Sequence, residues 1–466
     1  MLKEKAVPKD SLFFFNFAAI ILMKNITVVG AGLVGSLLSI YLAKKGHSVN
    51  IFERRPDMRL ALGETGRSIN LALSDRGWKG LEGVGIADEI RKIAIPMHGR
   101  IIHDIQGKTN FQPYGKEGQA IYSVSRGELN KKLMDLAEAQ NNTKIFFNHR
   151  CVDVDLEKAT ATFADEKGNT TKNNSDMIFG TDGAFSEVRH RLMFTDRFDY
   201  SQDYLKEGYK ELNIPPAENG GWRMEKNALH IWPRGKFMLI ALPNFDGSFT
   251  CTLFFPFEGE YSFSSLDTKE KMLSFFNKTF PDAVELMPTL EHDYFHNPTS
   301  SLVIVRCFPW SYKDKALILG DASHAIVPFY GQGMNCGFED CTVLEQIMQQ
   351  ENDWETIFKT FETSRKPNSD AIAELALQNF IEMRDLVADE KFVLRKKIEA
   401  KLAAEFPEKW LPLYSMVTFS DIPYSTAWNE GKQQDAVMQQ VMKIPEIEKI
   451  WNTEEGFKQI TKTVLG

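Results

Sequence analysis

Residues 317–335 read Leu-Ile-Leu-Gly-Asp-Ala-Ser-His-Ala-Ile-Val-Pro-Phe-Tyr-Gly-Gln-Gly-Met-Asn. An apolar strand runs into Gly320-Asp321, a proline and a glycine-rich turn follow, and the pattern beyond predicts a helix from about Met334 to Gln349. An aspartate at the end of a buried strand can bind a ribitol or ribose hydroxyl. The amides from Gly331 to Asn335, at a helix start, can face a negatively polarised group. Alone, this is any strand-turn-helix. It gains meaning from a nucleotide-binding turn about 290 residues earlier.

There, the apolar run Ile26–Val29 enters Gly30-Ala31-Gly32-Leu33-Val34-Gly35, and Leu33–Lys45 has helical periodicity. Gly30 permits the tight turn, Gly32 lets a pyrophosphate approach the backbone, and Gly35 lets helix and strand pack closely. A second strand, Ser48–Phe52, ends at Glu53, 18 residues past Gly35, where an acid meets a ribose 2′-hydroxyl. Arg54 and Arg55 read equally as solvated charges or as phosphate and adenine contacts. The chain carries one such fingerprint. Midway, Met177–Arg189 reads as another buried strand, an Asp182-Gly183 turn and a helix beginning near Ser186.

The bulk numbers narrow the class. At 466 residues the chain has room for two or three domains, and 43% hydrophobic with 25% charged residues is ordinary for a soluble globular protein. A net charge of −8 and the lack of a dense basic cluster argue against a nucleic-acid footprint. The five cysteines are an odd number without CxxC spacing, which points to a reducing, cytoplasmic setting and no structural zinc. Cys336 and Cys341 read as packed small residues, and none of the nine histidines forms a metal-like pair, so no metal is expected. Lys3, Lys5 and Lys9 precede an apolar Leu12–Met23 that lacks a cleavage site and is short for a membrane span. Met23 is the expected native start, with 1–22 a non-native or disordered extension. The C-terminal 431–466 is charged and helical in pattern, without an anchor.

Taken together, G-x-G-x-x-G at 30–35, G-x-D-G-x-x-S-x-V-R at 180–189 and Gly320-Asp321 with its proline resemble the FAD-dependent aromatic hydroxylases of the p-hydroxybenzoate hydroxylase class. Longer strings, Gly66–Leu73, Gln112–Gly115, Leu229–Pro233, Pro328–Asn335 and Tyr414–Ser420, are similar to the branch of that family that hydroxylates L-kynurenine, from about Asn25 to beyond Phe419. The resemblance implies an α/β fold, α+β overall. A Rossmann-like FAD domain is expected from 23–97, 125–199 and 311–352. A mixed sheet from 98–124 and 200–310 would roof the substrate, and 353–466 would form a helical C-terminal part. A break is expected at Pro367 within the long amphipathic pattern Asp353–Glu399.

The same resemblance implies the site. Arg100 and Tyr114 match anchors for the substrate carboxylate, and Asn379 and Tyr414 match polar partners from the C-terminal part. The aromatic end would lie among Leu229, Ile240, Leu242, Thr252, Phe254, Pro328 and Phe329, with Tyr330 as pocket wall. Ile240 with Leu242, and Thr252 with Phe254, each share a sheet face by their spacing. FAD, tightly but non-covalently bound, would be held at Gly30, Gly32, Val34, Gly35, Glu53, Arg54, Arg55, Ala72, Arg126, Asp182, Asp321, Gly333, Met334 and Asn335. A backbone contact is also expected near Cys151, after a strand Ile145–Asn148. The implied reaction converts L-kynurenine, NADPH and O2 into 3-hydroxy-L-kynurenine, NADP+ and water through a flavin C4a-hydroperoxide. NADPH would be a transient co-substrate. The arylamine activates the ring ortho to itself, so no catalytic base is expected, and His324 is given no chemical role. An arginine for a carboxylate also suits another aromatic acid, such as salicylate or anthranilate. A flavoprotein reductase without oxygen insertion would share the fold. Intact Gly30, Gly32, Glu53 and Asp321 weigh against a non-catalytic binding protein.

Overall fold

Ile26, Val28 and Val29 are buried, and the strand they build, Asn25–Val29, lies inside a six-stranded sheet. A computed structural model describes residues 23–60, 70–386 and 389–465. The 1–22 extension and the Gly66–Ile69 part of one motif fall outside the described residues. The sheet order is Ser311–Tyr312, Ala316–Ile318, Met177–Gly180, Asn25–Val29, Ser48–Phe52 and Thr143–Phe146. All pairs are parallel except the first. Parallel strands covered on both faces need continuous apolar runs, which these sequences supply. Three adjacent strands, Asn25–Val29, Met177–Gly180 and Ala316–Ile318, lead at their carboxyl ends into Gly30, Asp182 and Gly320-Asp321 respectively. Motifs far apart in sequence thus converge on one sheet edge, where open α/β sheets bind ligands.

The helix Leu33–Lys44 packs against Arg126–Glu138 and against Gly333–Met348, the helix of the glycine-rich turn. That helix starts one residue before its expected position. A three-stranded antiparallel sheet, Arg150–Asp155, Thr160–Ala164 and Thr170–Asn174, places Phe163 3.9 Å from Phe52 in a stacked pair. Cys151 lies on the first of these strands. The strand expected over 145–148 is Thr143–Phe146, with Asn148 at φ 59° turning the chain between the two.

A seven-stranded mixed sheet forms the roof, in the order Thr299–Phe308, Asp199–Ile214, Phe249–Pro256, Met238–Pro243, Ala228–Pro233, Gly99–His103 and Thr109–Pro113. Only Ala228–Pro233 with Gly99–His103 is parallel. Alternation divides its residues between two faces. Leu212, Trp232, Leu239, Cys251 and Phe255 pack with Phe276, Phe280 and Tyr294 of the covering helices. Leu229, Ile231, Met238, Leu242 and Phe254 pack with Phe329, Tyr330 and Phe380. Ile121–Ser125, which begins inside the 98–124 segment, instead pairs with Asn70–Leu73 and Ile95–Met97 in a separate small sheet.

In the C-terminal part, the helix Trp354–Ile381 runs unbroken through Pro367, contrary to the expected break there. Phe358 and Phe361 before the proline, and Ile372 and Leu375 after it, are all buried. Tertiary packing on both sides offsets the local loss of one backbone hydrogen bond. The interruption comes later, at a π-helical turn, Glu382–Leu386, and the chain resumes as Glu390–Glu405. No helix of the described residues is long and apolar enough to cross a membrane.

Candidate active site

The nucleotide side begins with Gly30, at φ +100°, whose added Cβ would lie 2.7 Å from the Thr181 carbonyl oxygen. An added Cβ at Gly35 would lie 2.1 Å from the Gly30 carbonyl oxygen, so this glycine sets the distance between helix and strand. Gly32 is different: nothing lies within 4 Å of its Cβ position. The first turn of Leu33–Lys44 has neither an acidic residue nor a side-chain cap. An open cradle over uncapped amides fits the phosphates of a dinucleotide. Glu53 is buried; one carboxylate oxygen accepts from the Ala31 amide (3.0 Å), the other from the Arg55 amide and Nε (3.0 and 2.8 Å). Arg54 and Arg126 are exposed, the latter opening its helix.

Val34 is half-buried, with Gly320 and Gly337 close against it. Asp321 is exposed at the first residue of the short helix Asp321–His324. Gly331 adopts φ +68° and closes the turn Pro328–Tyr330 over Ala72. The next helix, beginning at Gly333, has no side-chain cap, which leaves the amides of Gly333, Met334 and Asn335 without intrahelical acceptors. These three amides fit an electron-rich edge of a flavin. The Asn335 side chain is committed elsewhere. Its Nδ2 donates to the carbonyls of Ala72 (2.8 Å) and Gly331 (2.7 Å), and its Oδ1 accepts from the Ser74 amide (2.9 Å). Asp182 is likewise engaged: its carboxylate accepts from Ser186 Oγ (2.5 Å) and the Glu187 amide (2.7 Å), capping Glu187–Leu192. Any support it gives a cofactor is therefore indirect.

Across the turn lies the roof. Arg100 is next to Leu229 in register, and Ile240 is opposite Thr252. Leu229, Ile240, Leu242 and Phe254 belong to the same apolar cluster as Phe329. The Phe254 ring is 4.8 Å from Phe329, which stacks on Phe380 at 4.0 Å. The Asn379 Nδ2 donates to the Phe329 carbonyl at 2.7 Å. Tyr114, Tyr414 and Tyr330 form a second stack, with centroids 5.1 and 5.5 Å apart. Burial pushes all three phenols well above the ordinary value, with Arg100 pulling the other way. They remain neutral donors beside a guanidinium, a combination suited to a carboxylate.

Two contacts here escaped the sequence. Arg100 Nε donates to Gln112 Oε1 (3.0 Å), and its Nη2 lies 3.4 Å from the Glu382 carboxylate. Glu382 opens the π-helical turn and is 3.7 Å from Lys396. A glutamate after a long helix reads as solvated, so only the helix's end brings it to notice.

His324 also has a partner that the sequence did not name. Its Nε2 is 2.6 Å from Asp340, which accepts from Arg365 Nε (2.7 Å) and the Gly320 amide (3.0 Å). All three side chains are buried. His324, Cys336 and Asp340 have ligand atoms within 4.8 Å of one another. However, Arg365 Nη2 lies 3.3 Å from Cys336 Sγ, so a fixed cation already serves this cluster.

Comparison with known proteins gives the following likenesses. A family described as "FAD binding domain" matches residues 23–234 and 305–376, more than half of the chain. The chain is 55% identical over 434 residues to a kynurenine 3-monooxygenase of Flavobacterium psychrophilum, covering 93% of this chain and 96% of that protein. It is 48% identical over 438 residues to one from Dictyostelium discoideum, covering 91% and 94%. In fold it is similar to p-nitrophenol 4-monooxygenase PnpA of Pseudomonas putida, with a TM-score of 0.66 at 15% identity over 87% of this chain and 98% of that one. It also resembles tetrameric 2-methyl-3-hydroxypyridine-5-carboxylic acid oxygenase, with a TM-score of 0.64 at 19% identity, covering 82% and 98%.

Proposed function

Because the chain belongs to the kynurenine 3-monooxygenase family of FAD-dependent hydroxylases, we propose that it hydroxylates L-kynurenine at C3, consuming NADPH and O2 and releasing 3-hydroxy-L-kynurenine, NADP+ and water. The observation that carries this reading is the arrangement of Arg100 and three stacked tyrosines beside an apolar roof, next to the turn Pro328–Asn335. FAD, when bound, supplies electron transfer from NADPH and the activation of oxygen. The glycine-rich turn, Glu53, Arg126, Asp321 and the amides of Gly333–Asn335 would hold it.

Arg100 would take the substrate carboxylate in two parallel charge-assisted bonds, displacing Glu382, and the phenols of Tyr114 and Tyr414 would cap its remaining lone pairs. Asn379 holds the Phe329 carbonyl and so fixes the wall against which the aromatic ring would rest. Leu229, Ile240, Leu242, Phe254 and Phe329 exclude water from the reacting face. The arylamine supplies the ring's electron density, so no side chain is asked to remove a proton. We place the enzyme in the cytoplasm, a reading supported by five cysteines, all free.

The test is anaerobic reduction of the yellow protein by NADPH with and without L-kynurenine, followed by product mass under air. Faster reduction and a product heavier by one oxygen are expected. Stimulation by salicylate or anthranilate instead would favour another aromatic acid, and NADPH oxidation with no oxygen in the product would favour a reductase. Arg100→Ala is expected to weaken L-kynurenine binding by about 1.5–3 kcal/mol, the range for hydrogen bonds to charged groups, with FAD content unchanged. Titration of the flavin absorbance reads this directly, and an unaltered dissociation constant would reject the assignment. Glu53→Ala removes the acceptor of the buried Ala31 amide and is expected to weaken FAD itself by about 1.5–3 kcal/mol. Reconstitution of apoprotein with graded FAD measures it.

A further inference from the structure

We propose that Arg76 is a positioning residue that couples the helix bearing Tyr414 to the turn facing the flavin, so that a substrate held at Tyr414 is felt at the cofactor. This rests on the hydroxylation reading above. Arg76 is 1% exposed, an unusual place for a full charge. It is the second residue of the helix Asp75–Gly83, directly after the strand Asn70–Leu73 that Asn335 ties to the glycine-rich turn.

On the substrate side, its Nε donates to the Val417 carbonyl (3.0 Å) and its Nη2 to the carbonyls of Met416 (3.3 Å) and Ile422. Met416 and Val417 lie in the last turn of Leu413–Thr418, the helix that carries Tyr414. The last carbonyls of a helix lack intrahelical partners and favour a cation, and Arg76 supplies both donors and charge. On the flavin side there are two routes. Arg76 Nη1 pairs with Glu339, whose other oxygen accepts from Arg365 Nη1 (2.6 Å). Arg365 reaches Asp340 (2.7 Å), and Asp340 accepts from the amide of Gly320 (3.0 Å), the residue before Asp321. The guanidinium also lies 4.0 Å over the Tyr424 ring, whose hydroxyl donates to Gln332 Oε1 (2.9 Å), just before Gly333.

Every link in both routes is a direct contact with a fixed direction. A movement of the Tyr414 helix therefore shifts a guanidinium whose other contacts, Glu339 and the Tyr424 ring, lead on to Gly320 and Gln332 beside the flavin. An apolar side chain of similar length could fill the same space. It could not connect the two sides, and that difference is what can be measured.

The experiment uses FAD-loaded wild type, Arg76→Lys and Glu339→Gln. It reads FAD content, L-kynurenine affinity by calorimetry, and anaerobic flavin reduction by NADPH with and without substrate. It also reads the fraction of consumed NADPH recovered as hydroxylated product. Lysine keeps the charge but lacks the fork that spans three carbonyls. Arg76→Lys is expected to retain FAD and its substrate-free reduction rate. It should bind L-kynurenine about tenfold more weakly and lose most of the substrate stimulation, as for coupled residues in one network. Glu339→Gln keeps the shape and leaves the carbonyl contacts intact. It is expected to hold substrate affinity within about twofold while stimulation and product yield fall. Wild-type stimulation in both variants would overturn the coupling, as would losses that merely track FAD content. A wild-type protein indifferent to L-kynurenine would overturn the functional reading and this proposal with it.

Discussion

Replacing Asp340 by alanine is expected to remove about 3–5 kcal/mol of folding stability, because it strands the buried His324 without its counter-charge and leaves Arg365 with Glu339 alone. His324 and Arg365 both point at this carboxylate, which also accepts from the Gly320 amide. Urea unfolding of the holoprotein at saturating FAD measures the loss; a change below 1 kcal/mol would contradict the account. The pH dependence carries the sign. Burial works to raise the Asp340 carboxyl, but His324 and Arg365 outweigh it and hold the group below its ordinary 3.8. Burial works to lower His324, but Asp340 outweighs it and the imidazole stays protonated well above 6.5. The carboxyl's contribution is in place above 3.8 and is lost as pH falls through its depressed folded value. The imidazole's is in place below 6.5 and is lost as pH rises toward its raised folded value. The stability gap between wild type and Asp340→Asn is therefore widest between 3.8 and 6.5, and it narrows above that window.

Gly35→Ala is the second large effect, and Gly32→Ala is its control. A methyl at Gly35 would sit 2.1 Å from the Gly30 carbonyl oxygen and 2.4 Å from Thr181 Oγ1. The first of these is backbone and cannot rotate away, so helix and strand must part. Thr181 then loses its bonds to the carbonyls of Val29 (2.9 Å) and Gly30 (3.0 Å). Overpacking of this kind costs about 1–3 kcal/mol and occasionally more. We expect a lower melting temperature of the apoprotein and FAD affinity reduced more than about tenfold. Gly32 has an ordinary φ of −74° and open space around its Cβ position. Alanine there should leave the apoprotein's melting unchanged while still weakening FAD, because the methyl enters the cofactor's space. Equal melting losses in the two variants would show that the glycines serve packing alone.

The parts of this molecule that were legible in its sequence share a property: each carries its chemistry locally. The turn at Gly30–Gly35, the Asp182-Gly183 turn and Gly320-Asp321 each follow an apolar strand. The three strands proved to be neighbours in one sheet. Period-two spacing likewise put Ile240 with Leu242, and Thr252 with Phe254. What stayed hidden depends on the approach of distant segments. Glu339, Asp340 and Arg365 carry no local motif in the sequence, yet Asp340 has no exposure. The tyrosine stack joins residues 114, 330 and 414, which no local period relates. Pro367 is the opposite case: a local signal for a break was overridden by the buried residues on either side. Asp182 and Asn335, both expected at the cofactor, have side chains held by protein groups.

The strand order of the nucleotide sheet has a consequence for how the chain is made. Met177–Gly180 is flanked on one side by Asn25–Val29, already synthesised, and on the other by Ala316–Ile318. The second neighbour emerges roughly 135 residues later, on the order of ten seconds at usual synthesis rates. Through that interval Met-Ile-Phe-Gly offers an apolar strand with one side unpaired, a template for pairing with another chain. The whole roof sheet must pass out of the ribosome before the edge is closed. A chain halted between 180 and 316 is therefore left with a sticky, half-built nucleotide fold, and the yield of folded protein depends on unbroken passage through that stretch.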